Sequence, residues 1–169
     1  MDKDTADFLR DCRHLFTGRV LEVGSLNVNG TIRNTIPVTV GVDCRPGPDV
    51  DMIVDAYDLV QFFGSESFDH VLCLNTLEHV EHWEKAMSNM WAVLKPGGLM
   101  GITVPTLAKG YHAHPHDYWR WTLADLKAIF SENGQIKAAQ INPKSVGIVA
   151  KKTTNCLNFD TKLAKVVPK

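Results

Sequence analysis

Val20-Leu21-Glu22-Val23-Gly24-Ser25-Leu26-Asn27-Val28-Asn29-Gly30 is an apolar run carrying one acid that opens into a loop of small and amide residues. A short apolar run of this kind is the pattern of a buried parallel strand, and in an open α/β sheet ligands sit beyond the carboxyl ends of such strands. Glu22 and Gly24 fall at that end. Glycine lets backbone approach a ligand closely, and a carboxylate there can pair with a cation or accept hydrogen bonds. The stretch therefore reads as a cofactor-binding turn. The dinucleotide fingerprint G-x-G-x-x-G fails here, because it requires glycine where the chain places Leu26.

A second apolar run, Val38-Thr39-Val40-Gly41-Val42, ends in Asp43, where a carboxylate can accept both hydroxyls of a ribose. That combination suits a nucleoside without a demanding phosphate site. With Phe68-Asp69-His70-Val71-Leu72-Cys73-Leu74 and Leu94-Lys95-Pro96-Gly97-Gly98 following in order, the chain resembles the class I S-adenosylmethionine-dependent methyltransferases of the type 11-like subgroup. The resemblance covers roughly residues 18 to 132. It implies a Rossmann-like, doubly wound α/β sheet of seven strands, mostly parallel and closed by an antiparallel hairpin. It also implies S-adenosyl-L-methionine as cofactor, with S-adenosyl-L-homocysteine as product. The cofactor site it implies consists of Glu22, Gly24, Ser25 and Asn29 in the first loop, Asp43 and Cys44 after the second strand, Asp55 with the backbone of Ala56, and Asn75.

Composition sets the outer bounds. A chain of 169 residues, 44% hydrophobic and 22% charged, fits one globular domain with a sizeable core, drawn here as residues 1 to 152. Residues 153 to 169 are lysine-rich without a strong period and read as a mobile tail. The net charge of -1 and the lack of basic stretches interleaved with aromatics give no signal for nucleic acid or an anionic membrane. The polar start Met1-Asp2-Lys3-Asp4 and the absence of a membrane-length apolar run predict a cytoplasmic protein. Cys12, Cys44, Cys73 and Cys156 are widely spaced and read as reduced thiols.

Periodicity supplies the remaining elements. Phe8, Leu9, Cys12, Leu15 and Phe16 recur at helical spacing between Asp4 and Phe16, predicting a packing helix. Both early crossovers are abbreviated: residues 31 to 36 leave scarcely two turns before Pro37, and Cys44 to Val50 is a Pro/Gly loop preceding a strand near Asp51 to Val54. Trp83, Met87, Met90, Trp91 and Leu94 form a helical stripe destined for the core. Lys95-Pro96-Gly97-Gly98 should stop that helix sharply, with a fifth strand over Leu99 to Val104. Thr122 with Asp125 reads as a capping box, and residues 135 to 141 and 146 to 151 as the closing hairpin.

Methyl transfer needs alignment and a desolvated nucleophile, and a general base only where the acceptor must lose a proton. His79, in Leu77-Glu78-His79-Val80, is the candidate base, with a helix-start anchor as the competing role. The segment Tyr111 to Trp121 is polar and aromatic and faces the acceptor. A similar Asp-Tyr-Trp-Arg pattern occurs in a subset of the resembling enzymes, which implies that Tyr118 and Arg120 position substrate. Arg120 paired with Asp117 as a loop clasp is the alternative. His112, His114 and His116 with Asp117 do not match a zinc spacing, Pro115 restricts their geometry, and no metal is expected.

Asn75-Thr76-Leu77-Glu78 stands where base amino-methyltransferases often carry an Asn/Asp-Pro-Pro-Tyr/Phe motif, which argues against a nucleobase acceptor. A small or sugar-like acceptor is favoured, while protein acceptors stay open. The alternative reading is a catalytically inactive cofactor-binding module or partner subunit, since Leu26 and Val28 replace loop glycines.

Overall fold

A computed structural model describes residues 3 to 113, 116 to 158 and 160 to 167. In chain order its elements are α1 (Lys3–Cys12), β1 (Val20–Val23), β2 (Val40–Asp43), β3 (Met52–Ile53), α2 (Leu59–Phe63), β4 (Phe68–Leu74) and α3 (Trp83–Val93). There follow β5 (Leu94–Pro105), β6 (Trp119–Arg120), α4 (Leu123–Ser131), β7 (Gly134–Ile141), β8 (Ser145–Lys152) and β9 (Lys165–Val166). The main sheet has seven strands in the order β3-β2-β1-β4-β5-β8-β7. The pairs from β3 through β5 are parallel, and β8 joins β5 and β7 antiparallel. This is the doubly wound sheet with a closing hairpin that the sequence implies.

Successive side chains on a strand point to opposite faces, so β1 divides its residues between two cores. Leu21 and Val23 join Trp83, Met87, Met90 and Trp91 of α3 and Leu126, Ile129 and Phe130 of α4. Val20 joins Phe8, Leu9, Cys12 and Phe16 on the opposite face. The Trp and Met stripe is thus core, as its spacing requires. The amino-terminal helix is shorter than its apolar period, because the chain tightens into a 3-10 turn at Arg13–Leu15.

The early crossovers are short. Residues 31 to 36 contain turns and no helix, and a loop without a helix joins β2 to β3. An ion pair substitutes for helix packing at this edge. Arg33 donates to Asp51 at 2.5 Å and to the Asp49 carbonyl at 2.8 Å, while Asp51 accepts from the Gly41 amide at 2.7 Å.

The expected break at Lys95-Pro96-Gly97-Gly98 is a correction. The helix does end at Val93, but β5 begins at once with Leu94 opposite Phe68, and the register then jumps to Leu99 opposite His70. Pro96 has no amide hydrogen for the ladder and Gly97 adopts φ 78°, so the four residues bulge from a strand instead of preceding it.

Residues 154 and 165 to 166 contact the domain. Trp91 donates through Nε1 to the Thr154 carbonyl at 2.9 Å, and β9 pairs antiparallel with β6. The capping box of α4 is present: the Asp125 amide donates to the Thr122 hydroxyl at 3.2 Å and the Thr122 amide to Asp125 Oδ2 at 2.7 Å. Lys165 beside β6 reaches the same Asp125 oxygen at 3.2 Å. Thr122→Ala should lower unfolding stability by about 1 kcal/mol, the usual cost of losing an N-cap, as read by urea denaturation.

Candidate active site

The functional cleft opens where β1, β2 and β4 end. Gly24 leaves β1 with φ 79°, and its amide and that of Ser25 donate to the Val42 carbonyl at 2.8 and 3.0 Å. A Cβ at Gly24 would collide with the Thr76 side chain, so only glycine lets the two loops meet. Two cavities, of about 250 and 620 Å³, share Gly24, Asp43, Cys44, Thr76, His79 and Val80 and so form one cleft.

The structure places most of the sequence-expected residues along this cleft. Glu22, Ser25, Asn29 and Asn75 line the larger cavity; Asp55, Ala56 and Tyr118 line the smaller; Gly24, Asp43, Cys44 and His79 line both. Glu22 is 7% exposed, and its Oε2 has no hydrogen-bond partner among the described residues. Burial pushes its carboxyl up to about 8, against the pull of Arg33. Ser25 Oγ is likewise buried without a partner. Asp43 spends Oδ1 on the Arg45 amide at 3.0 Å, and Asp55 spends Oδ1 on the Tyr57 amide at 2.9 Å. In both, one carboxylate oxygen shapes the loop that presents the other. Burial and the neighbouring Asp43 push the Cys44 thiol up, so it is no thiolate nucleophile.

The far wall is built from two loops. The turn Leu77–His79 follows β4 and carries Glu78, which has 0% exposure and no hydrogen-bond partner for either carboxylate oxygen among the described residues. His79 turns Nδ1 to the His116 carbonyl and holds Nε2 3.8 Å from Glu78 Oε1. His112, from the loop after β5, holds Nε2 3.7 Å from the same oxygen. The Tyr118 amide donates to the Glu78 carbonyl at 2.7 Å and joins the loops.

Of the two readings of Arg120, the geometry is that of the loop clasp. Arg120 is 1% exposed, lines neither cavity, and grips Asp117 through Nη1 and Nη2 at 2.5 and 2.7 Å while donating to the Gly110 carbonyl at 2.7 Å. Nη1 and Nη2 are taken up by a clasp inside the segment, and the buried Nε faces neither cavity. Asp117 is held below the usual carboxylate range by this clasp and the His112 amide, which outweigh its burial. His114 and Pro115 lie outside the described residues.

Linear reading missed Glu78 as a buried wall residue and missed His112 beside it. The adjacency of an acid to His79 was the available signal; the approach of His112 across the cleft had none.

Residues 40–102 match the family model for a methyltransferase domain. The fold is also that of the Burkholderia thailandensis 1,6-didemethyltoxoflavin-N1-methyltransferase, solved with 1,6-didemethyltoxoflavin and S-adenosylhomocysteine (TM-score 0.65, 16% identity, 89% of this chain and 77% of that one). The chain has the class I methyltransferase fold. Phosphoethanolamine N-methyltransferase 2 of Haemonchus contortus, in complex with S-adenosyl-L-methionine, is similar over 89% of this chain and 52% of its own (TM-score 0.64, 15% identity). So is the [4+2]-cyclase SpnF (TM-score 0.62, 17% identity, 89% and 81% covered). No curated protein matches this chain in sequence.

Because Glu22 has a folded pKa of about 8 against an ordinary 4.5, its protonated form stabilises the ligand-free domain fully below 4.5 and that contribution is lost as pH rises through about 8. Glu22→Gln cannot ionise and escapes the loss. The melting temperature of the variant minus that of the parent should therefore grow from pH 5 to pH 8; a constant difference would mean that Glu22 is not desolvated.

Proposed function

We propose that the protein is an S-adenosylmethionine-dependent methyltransferase acting on a small or sugar-like acceptor. The observation that carries this reading is the buried, unpartnered carboxylate of Glu22 in line with Asp43 and Asp55 along one cleft. Bound S-adenosylmethionine supplies an electrophilic methyl group on a cationic sulfur. Glu22, protonated in the ligand-free domain, becomes the carboxylate partner of the ligand's ammonium group once that cation offsets its burial, with Ser25 and Asn75 beside it. Asp43 accepts the ribose hydroxyls through the oxygen that Arg45 leaves free. Asp55 and the Ala56 backbone receive the adenine, against the apolar walls of Val42, Val54 and Val80.

His79, Glu78, His112 and Tyr118 then form the acceptor side, opposite the loop after β1. Desolvation of the acceptor by this wall, together with its alignment, supplies most of the acceleration expected for methyl transfer. A small acceptor fits a cleft whose larger part measures about 620 Å³. The similarity to a cyclase means that the fold alone does not specify the reaction, so the acid row and not the sheet supports the cofactor.

S-adenosylmethionine and S-adenosylhomocysteine are expected to bind and to raise the melting temperature, whereas NAD is not, since no pyrophosphate loop is present. Isothermal titration calorimetry decides between them. Asp43→Ala should weaken S-adenosylhomocysteine by about 1.5 to 3 kcal/mol, the cost of a lost charged hydrogen bond, without unfolding the chain. Unchanged affinity in the folded variant would remove Asp43 from the ribose site.

A further inference from the structure

We propose that Glu78, His79 and His112 bind a divalent transition-metal cation, with its remaining coordination positions open to the larger cavity and to an oxygen of the acceptor. The role given to the metal rests on the methyltransferase reading; its binding does not.

One candidate ligand atom from each of the three side chains lies within 4.8 Å of the others. Their protonation follows from their outer partners. The His116 carbonyl can only accept, so His79 carries its proton on Nδ1 and turns a lone pair on Nε2 inward. His112 Nδ1 stands 3.1 Å from Asp117 Oδ2, a carboxylate already gripped by Arg120. Arg120 Nη2 donates to the same ring nitrogen at 3.2 Å, besides its shorter bonds to Asp117 Oδ2 and the Gly110 carbonyl, both at 2.7 Å. His112 is thus fixed by its outer nitrogen, with Nε2 the ring atom turned toward Glu78. A carboxylate or carbonyl on the outer nitrogen is the arrangement that orients metal-bound histidines.

Two imidazole nitrogens and a carboxylate oxygen then face one another, and a bound cation would take the place of any proton between them. Separations of 3.7 and 3.8 Å to Glu78 Oε1 are too long for hydrogen bonds. Glu78 is fully buried and has no hydrogen-bond partner for either oxygen among the described residues, an arrangement that costs several kcal/mol unless a cation joins it. In a tetrahedral site with bonds near 2.1 Å, ligand atoms lie about 3.4 Å apart, so the two contacts to Glu78 are a few tenths of an ångström too long and the site closes by drawing the two rings together from within 4.8 Å. His112 is on a loop and part exposed, which gives it that freedom.

Two imidazoles and one carboxylate select zinc, iron, cobalt or manganese over magnesium and calcium, which prefer oxygen ligands throughout. The sequence reading expected no metal because it sought ligands along the segment 112 to 117 alone. Here two of the three come from the turn after β4.

The test is equilibrium dialysis of the full chain, stripped with chelator, against Zn²⁺ and Co²⁺. Expected is one Zn²⁺ per chain, with affinity about tenfold or more weaker in Glu78→Gln and in His112→Gln, a scale that even loss of an orienting group produces. The Co²⁺ form should show visible ligand-field absorption without a thiolate charge-transfer band. Absence of stoichiometric binding, equal binding by both variants, or a thiolate band overturns the proposal. If Glu78→Gln fails to fold by circular dichroism, His112→Gln carries the comparison. S-adenosylhomocysteine binding without metal binding would sink this inference alone, and metal binding without S-adenosylhomocysteine would sink the cofactor reading alone.

Discussion

β1 pairs with β2 on one side and with β4 on the other, and this double pairing obliges the chain to leave the ends of β1 and β4 in opposite directions. A crevice at the carboxyl ends of the strands is the geometric result. Everything in the candidate site hangs from it. Gly24 and Thr76 meet where the two loops part, at a distance no other residue than glycine permits. Glu22 is drawn below the surface by strand pairing, whatever that costs its carboxylate.

The carboxylates of the chain divide by how their charge is met. Asp51 with Arg33, Asp69 with Lys95 and Asp117 with Arg120 are matched by nearby cations, and each of these acids is held below its ordinary range. They fix loops and sheet edges. Glu22 and Glu78 are the opposite case, buried with oxygens that no described residue satisfies, and they stand on the two walls of one cavity. Leaving a buried carboxylate unmet is costly, and such places concentrate at sites that receive ligands. The proposed division, with the cofactor on the Glu22 wall and the acceptor on the Glu78 wall, follows from that contrast.

Much of the fold was legible because its signals are local. Apolar runs ending in Glu22 and Asp43, the stripe from Trp83 to Trp91 and the Thr122/Asp125 box each sit within a few residues of one another and lead directly to β1, β2, α3 and α4. The bulge in β5 was misread for the same reason. Pro96-Gly97-Gly98 looks like a stop when the partner strand is out of view, yet β4 pairs on either side of it. The site divided similarly: the loop acids could be found from strand ends, whereas the Arg120 clasp and the pairing of Glu78 with His112 depend on contacts between the segments after β4 and β5. Whether an arginine near a cleft faces a ligand or its own loop is decided by burial, which spacing does not encode.

The central claim is that the cleft beyond β1, β2 and β4 holds a sulfonium nucleoside against Glu22 and Asp43. A crystal structure of the chain grown with S-adenosylhomocysteine addresses it most directly. Expected is density in the shared cleft, with the ribose hydroxyls on Asp43, the adenine beside Asp55 and Ala56, and the amino group within reach of Glu22. A ligand bound elsewhere, or placed in this cleft with Glu22 and Asp43 both untouched, would contradict the account.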